Sequence, residues 1–302
     1  MGDHGNLVIL GNGFDLDLDF PTSYKHFVEN ENDQDHGTFP FVRGGEDYHA
    51  LGRYVLEASI RNWFDLEDIL ATYGIAHEHN AINQEDKLDY CKLVRSLSLY
   101  LQSLDLSHPK NDSVAARLLK AVTDCLIPPT IYSFNYTDVS MIGNALGLGV
   151  GSATHIHGSL AADDIILGVG DYVDLSPAND FMYKTSNEKY RSTNLFRELD
   201  TCDNILIFGL SLSQVDYPYF EGFFKKVSSG EYGHDRKKYI RIFTYDDESR
   251  MSILRNLRLM NKGMIALANY ADFDIVRTKD NVDEEKISVV LEKIATEWQV
   301  DV

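Results

Sequence analysis

The order of apolar and polar residues along the chain alternates between two patterns. Short apolar runs with β character are separated by stretches whose apolar positions repeat every three or four residues. The first run, Leu7–Leu10, leads directly into Gly11 and Gly13, as a buried parallel strand does where it enters a tight turn. This alternation predicts an α/β fold, with a Rossmann-like, mostly parallel sheet covered by helices.

The remaining predicted strands follow the prolines Pro128 and Pro129, and glycine-rich or helical connections separate them. They are Thr130–Tyr136, Thr154–His157, Ile165–Val169, Asn204–Leu210, Tyr239–Tyr245 and Met264–Ala268. Helices are predicted over residues 246–262 and 283–299.

Helical periodicity also dominates from about residue 50 to residue 126. Apolar positions at steps of three and four predict one helix here, and they are Cys91, Val94, Leu97, Leu101 and Leu104. Another helix is predicted to begin after the capping candidates Asn111 or Asp112 and to end before Pro128. Residues 24–45 are expected to be rich in loops. We therefore interpret residues 1–302 as a single α/β nucleotide-binding domain with a helical insertion at about 50–126.

Composition narrows the class of protein. The 302 residues are 44% hydrophobic and 25% charged, as in a folded protein, and the net charge of -19 argues against a nucleic-acid partner. The three cysteines form no CxxC pair, which indicates a reducing compartment. Because the N-terminus does not resemble a signal peptide and no apolar run approaches the roughly 20 residues of a membrane span, we expect a cytoplasmic protein.

Candidate chemistry collects where the predicted strands end. Gly11–Leu16, with the sequence GNGFDL, follows the first strand, where a doubly wound sheet places its ligand crevice and where glycines let the backbone approach a phosphate. Leu16 replaces the last glycine of the G-x-G-x-x-G fingerprint, so a plain strand-to-turn transition is an equal alternative. Asn135 ends another strand and can orient a water or a ribose hydroxyl, or form an Asx-type turn.

Two histidines stand in a third such segment. His155 and His157 are two residues apart, which places them on one face of a strand, but no third metal ligand of suitable spacing accompanies them. His157, next to Gly158, is the better acid–base candidate because imidazole titrates near neutrality. A packed core histidine is the alternative.

Five segments together resemble the bacteriophage abortive-infection AbiH family in their order and approximate spacing. They are GNGFDLDLDFPTSY, NWFDLED, YSFNYTD, HIHGS with ILGVGD, and GLSLSQVDYPYF. The same order of motifs is similar, more distantly, to the sirtuin-like NAD-binding fold. The resemblance implies phage defence, with NAD as substrate or ligand and with no metal.

The sirtuin-like similarity also implies roles for particular residues. Asn135 would hold the nicotinamide ribose or a water, and His157 would be the ribose-directed base. The loops expected to line the dinucleotide contain Gly11, Asn12, Gly13, Phe14, Asp15, Tyr136, Thr137, Asp138, Gly158, Gly209, Ser211 and Asp216. Three positions depart from the resemblance. Phe134 replaces a Gln of sirtuins, Thr137 displaces Asp138 by one place, and Leu210 replaces an expected His of the AbiH segment.

Three functions remain open at this point. The first is NAD glycohydrolysis, in which Asn135 and His157 assist attack by water and nicotinamide leaves. The second is a non-catalytic NAD or ADP-ribose sensor that regulates a partner or an oligomer. The third is a metal-dependent nuclease using His155 and His157, against which the acidic charge counts. Beyond the nucleotide, candidate partners are a second copy of the chain and a phage-derived trigger.

The NWFDLED segment has two interpretations. Trp63, Asp65, Glu67 and Asp68 fit a helix with a buried Trp and a solvated acidic face. Alternatively, the family resemblance implies that this helix covers the pocket and supplies a carboxylate.

Overall fold

The computed structural model describes residues 5–27, 49–61, 66–77, 83–233, 237–261 and 264–298. Trp63, Asp65 and most of the loop expected at 24–45 lie outside the described residues. The chain divides into two compact units. The sheet unit comprises Met1–Phe20, Leu106–Ile156 and Ser192–Val302, and the helical unit comprises Pro21–Asp105 and His157–Arg191.

The sheet unit is built on strands that pair in parallel throughout the described residues. These strands are β1 (Gly5–Leu10), β2 (Thr130–Ser133), β3 (Thr154–His155), β4 (Cys202–Phe208), β5 (Lys238–Thr244) and β6 (Ala271–Arg277). Their spatial order is β3-β2-β1-β4-β5-β6, the order of doubly wound dinucleotide-binding sheets. The predicted Rossmann-like α/β fold is confirmed.

Helices connect the strands and also occur in the helical unit. They are α1 (Asn12–Asp17), α2 (Ala50–Arg61), α3 (Leu66–Ala76), α4 (Gln84–Ser103), α5 (Val114–Asp124), α6 (Val139–Ala145), α7 (Leu195–Thr201), α8 (Tyr217–Ser229), α9 (Asp247–Asn261), α10 (Ile265–Tyr270) and α11 (Glu284–Glu297). The helices α2, α3 and α4 belong to the helical unit.

The strand β1 explains why the sheet needs helices on both faces. Val8 and Leu10 belong to one buried apolar cluster, which also contains residues of α1, α5, α6 and α11. Leu7 and Ile9 point to the opposite face, into a second cluster with residues of α7, α8, α9 and α10. A strand buried on both faces has no polar positions to alternate with, so its sequence is a continuous apolar run.

In the helical unit, two buried carboxylates anchor the start of α2. Asp89 accepts hydrogen bonds from the backbone N–H groups of His49 (2.8 Å) and Gly52 (2.9 Å). Asp86 accepts from the N–H of Leu51 at 3.1 Å and from the hydroxyl of Tyr73 at 2.7 Å. Because the first N–H groups of a helix have no intrahelical acceptor, these carboxylates fix the position of α2 from α4.

Most sequence-predicted elements are found, but two strands were wrong. Met264–Ala268 lies largely in α10, and the last strand is β6, just beyond it. Ile165–Val169 is buried yet is not a strand; only an isolated bridge joins Val169 to Tyr183. Gly168 adopts a φ of +150°, which interrupts an extended ladder there.

Two boundary predictions also differ from the structure. The residue that caps α5 is Ser113, whose hydroxyl accepts from the N–H of Ala116 at 3.1 Å, and not Asn111 or Asp112. The strands β2 and β3 end at Ser133 and His155, earlier than predicted. The last residues predicted for these two strands therefore lie in the loops that follow them. Among the helices in the described ranges, none has the length and apolar character needed to cross a membrane.

Candidate functional site

The candidate site in the sheet unit begins where the strand order reverses. In this order of strands the crevice lies at the carboxyl ends of β1 and β4. The loop after β1 packs directly on the loop after β4: Gly11 N–H donates to the Phe208 carbonyl (2.8 Å), and Gly13 N–H donates to the Gly209 carbonyl (2.9 Å). The two glycine-rich segments predicted from sequence therefore meet.

The close approach of these loops requires glycine. A Cβ on Gly13 would lie 2.6 Å from the Cα of Gly209, and a Cβ on Gly209 would overlap the backbone nitrogen of Phe14. Gly209 also has a φ of +69°, in the left-handed region that side chains disfavour. Backbone contact between the two loops thus accounts for the glycines.

Several amides of these loops are already engaged. Besides Gly11 and Gly13, Phe14 N–H donates to the Gly11 carbonyl at 2.8 Å, and Gly209 N–H donates to the Phe243 carbonyl at 2.9 Å. These four amides hold the loops together instead of facing a pyrophosphate. The contact of Gly11, Gly13, Phe14 and Gly209 with a dinucleotide stays a prediction, and these four N–H groups do not support it.

The polar center of the sheet unit is formed by Asn135 and Asp15. Both are buried, with exposed fractions of 7% and 1%. The side-chain Nδ2 of Asn135 donates to Asp15 Oδ1 at 2.9 Å and to the Gly11 carbonyl at 3.1 Å. Because both neighbours are acceptors, the amide nitrogen must face them, and Oδ1 of Asn135 lies on the other side of the carboxamide.

A second donor contacts the Asp15 carboxylate. The hydroxyl of Thr137 donates to Asp15 Oδ2 at 2.7 Å, and Thr137 is itself buried. Asp15 therefore ties the first turn of α1 to the loop that follows β2. Hydrogen bonds to an ionised carboxylate are stronger than those between neutral groups, so this pairing fixes Asn135 firmly.

The backbone of Asn135 is held as well. Its N–H donates to Ser133 Oγ at 3.1 Å, and its carbonyl lies 2.8 Å from Nδ1 of His155 on β3. A carbonyl can only accept, so Nδ1 of His155 carries the proton. His155 thus acts here as a support for Asn135. Within the described ranges, no cluster of three or more His, Cys, Asp or Glu is arranged to hold a metal ion.

Other predicted ligand contacts have structural tasks in the sheet unit. Asp138 caps α6 by accepting from the N–H and hydroxyl of Ser140 at 2.8 and 2.6 Å. Asp216 forms a capping box with Ser213. Ser211 is exposed and accepts from the N–H of Ser213 at 3.3 Å. Asn12 and Tyr136 are half-buried beside these loops. Their contact with a ligand stays a prediction.

His157 belongs to the helical unit, where it has charged partners that were not predicted. Lys184 Nζ lies 3.2 Å from His157 Nε2 and pairs with Glu67 of α3 at 2.8 Å. All three side chains are buried. Burial first, and then the Lys184 charge, hold the pKa of His157 well below its ordinary value. Gly158 has a φ of +76°, and a Cβ there would overlap the Asp164 carbonyl.

Two of the three positions that depart from the resemblance, Phe134 and Leu210, make apolar contacts. The ring of Phe134 packs on Tyr219 and Phe220, with centroid distances of 5.3 and 5.9 Å. Leu210 is buried in the same apolar cluster as Phe220. These two positions therefore support packing on this face of the sheet.

The fold and this constellation define a class: a Rossmann-like α/β protein with a fixed carboxamide and carboxylate at the switch point of its sheet. A family model described as bacteriophage abortive infection AbiH matches residues 7–232, which is most of the chain. The chain therefore belongs to the AbiH family, and this membership indicates a role in abortive infection by bacteriophage. A search of curated proteins found no match.

Proposed function

We propose that this AbiH-family protein binds NAD and hydrolyses its N-glycosidic bond, releasing nicotinamide. The observation that carries the proposal is the buried Asn135 carboxamide, fixed by Asp15 at the edge of a sheet whose strand order is that of dinucleotide-binding folds. A ligand at this crevice would meet a polar group whose orientation is set before binding.

The orientation of Asn135 suits the attack of water. Its Nδ2 is used by Asp15 and Gly11, so Oδ1 is the atom that can accept a hydrogen bond from a ribose hydroxyl or from a water. Holding that water in line with the ribose carbon would supply rate through positioning. Because the carboxamide is already fixed, no reorganisation is needed when the substrate arrives.

The proposed reaction balances without a co-reactant other than water. The bond between ribose C1′ and the nicotinamide nitrogen breaks, and its electron pair leaves with neutral nicotinamide. A bond forms between C1′ and the water oxygen, which gives ADP-ribose and releases one proton. That proton passes to solvent water.

The experiment is to follow nicotinamide release chromatographically with purified protein and NAD. We compare the wild type with Asn135→Ala and with Asn144→Ala, which removes an exposed Asn of the neighbouring helix α6. Loss of a preorganised polar group lowers turnover by about 10² to 10³-fold, so Asn135→Ala should fall in this range while Asn144→Ala matches the wild type. Equal release by all three folded proteins would sink the proposal.

A second candidate is a sensor that binds NAD or ADP-ribose without cleaving it. It is favoured by Phe134 and Leu210, because apolar packing replaces polar groups there that the resemblance expects. Calorimetry would then show binding that weakens in Asn135→Ala, with no nicotinamide formed even by the wild type. Release of nicotinamide by the wild type alone would exclude this candidate.

A further inference from the structure

The helical unit contains a buried group of three titratable side chains, His157, Lys184 and Glu67. Their exposed fractions are 7%, 5% and 6%. We infer that Lys184 and Glu67 are positioning residues that hold His157 as a neutral imidazole with its proton on Nδ1. Any role of His157 in catalysis rests on the proposed NAD hydrolysis. The contacts among the three side chains do not depend on that proposal.

The distances assign the proton. Lys184 Nζ lies 2.8 Å from Glu67 Oε1 and 2.9 Å from Oε2, so the ammonium faces both carboxylate oxygens. The same nitrogen lies 3.2 Å from His157 Nε2. An ammonium has three donors and no acceptor, so Nε2 must be the acceptor in this contact. A neutral imidazole that accepts at Nε2 carries its hydrogen on Nδ1.

The charges around the ring oppose its protonation. Lys184 and Glu67 compensate each other, and a protonated His157 would add a further cation facing Lys184 in a buried place. Tyr90 of α4 is a further titratable group close to Glu67. Burial, followed by the charges of Cys91 and Glu67, raises the pKa of Tyr90, which therefore stays neutral. Burial and Lys184 together lower the pKa of His157.

This arrangement changes the role expected for His157. The lone pair at Nε2 accepts from Lys184, so that nitrogen is not available to act as a general base. A neutral ring held in this way does not fit the role of ribose-directed base that the sirtuin-like resemblance implies. The NWFDLED segment contains Glu67, whose carboxylate contacts Lys184. In this inference Glu67 acts on His157 through Lys184.

The first test is ¹⁵N NMR of the histidine side chains, with the His157 signals assigned by their loss in His157→Asn. We expect a single neutral Nδ1–H tautomer from about pH 8 to about pH 5.5, the range in which an ordinary histidine titrates. A proton on Nε2, or titration of His157 at an ordinary pKa, would overturn the inference.

The second test removes the partners. Lys184→Met eliminates the ammonium and leaves the Glu67 carboxylate nearby, so the pKa of His157 should rise by about one unit or more. Glu67→Gln should leave His157 neutral because the cation remains. Lys189→Met, at an exposed lysine of the same segment, is the matched control and should change nothing. An unchanged His157 in Lys184→Met would contradict the inference.

Lys184→Met can fail to fold because it leaves a buried carboxylate unpaired. The double variant Lys184→Met/Glu67→Gln removes both charges, which is better tolerated than breaking one half of a buried pair. His157 should then lose its preference for the Nδ1–H tautomer. None of these readouts uses NAD. Absence of nicotinamide release with the expected NMR result would therefore reject the proposed function and leave the positioning by Lys184 intact.

Discussion

Asp15 illustrates how much of the candidate site depends on individual hydrogen bonds. Its two carboxylate oxygens accept from Asn135 and Thr137, which lie 120 and 122 residues away in the chain. With an exposed fraction of 1%, Asp15 has little water to replace a lost donor. Removing one partner of a buried charged group leaves a desolvated atom unsatisfied, which destabilises more than losing an exposed contact.

Thr137→Val tests this point because it removes the hydroxyl and preserves the shape of the side chain. We expect the free energy of unfolding to fall by about 1–3 kcal/mol, the range for a hydrogen bond to a buried charged acceptor. Chemical denaturation measures the change. Thr185→Val is the matched control, since Thr185 also donates to a carboxylate, Asp171, but on the surface. Equal small losses in both variants would mean that Asp15 does not depend on Thr137.

At the scale of elements, the loops after β1 and β4 act as one backbone-packed unit. Gly209 is critical because its positive φ and its contact with Phe14 both exclude a side chain. Left-handed strain in a non-glycine residue amounts to about 1–2 kcal/mol, and overpacking adds about 1–3 kcal/mol. The sum, about 2–5 kcal/mol, is a large fraction of the about 5–15 kcal/mol by which a typical domain is stable.

Gly209→Ala is therefore expected to lower the free energy of unfolding by about 3 kcal/mol or more. Gly147→Ala separates strain from overlap: Gly147 has a similar φ of +73°, but a Cβ there would meet nothing within 4 Å. The free energy of unfolding of Gly147→Ala should therefore fall only by the strain of about 1–2 kcal/mol. Urea denaturation of both variants measures these changes. Similar losses of unfolding free energy in both would show that the contact of residue 209 with Gly13 and Phe14 can relax.

The success of sequence reasoning varied with the environment of each element. β1 was predictable because burial on both faces demands a continuous apolar run. Ile165–Val169 has the same character and is buried, but its backbone groups bond individually, as between Val169 N–H and the Met182 carbonyl at 2.9 Å. Met264–Ala268 was misassigned because a short apolar run fits a helix as well as a strand.

The candidate site was predictable to a similar degree. The position of Asn135 at a strand end follows from local sequence, and its hydrogen bond with Asp15 confirms that the loops after β1 and β2 converge. Lys184 and Glu67 are 117 residues apart, so no local pattern could pair them. The only sequence signal was that Lys184 is the first cation after Lys120.

At the scale of the whole molecule, family membership indicates a role in abortive infection by bacteriophage. If the protein hydrolyses NAD, its effect on an infected cell is loss of a metabolite that the phage also needs. Asn135→Ala should abolish both NAD loss and protection, because it removes the carboxamide proposed to hold the water. It also removes the donor to Asp15 Oδ1, so the folded state of the variant is checked first.

The corresponding measurement compares cells that produce the wild type, Asn135→Ala or Asn144→Ala at equal protein levels during phage challenge. We expect fewer plaques and a fall in cellular NAD with the wild type and Asn144→Ala, and neither effect with Asn135→Ala. Protection without NAD loss would favour the sensor, since binding alone would then suffice. Protection that persists in Asn135→Ala would place the defence activity outside this constellation, because the variant lacks the carboxamide proposed to hold the water.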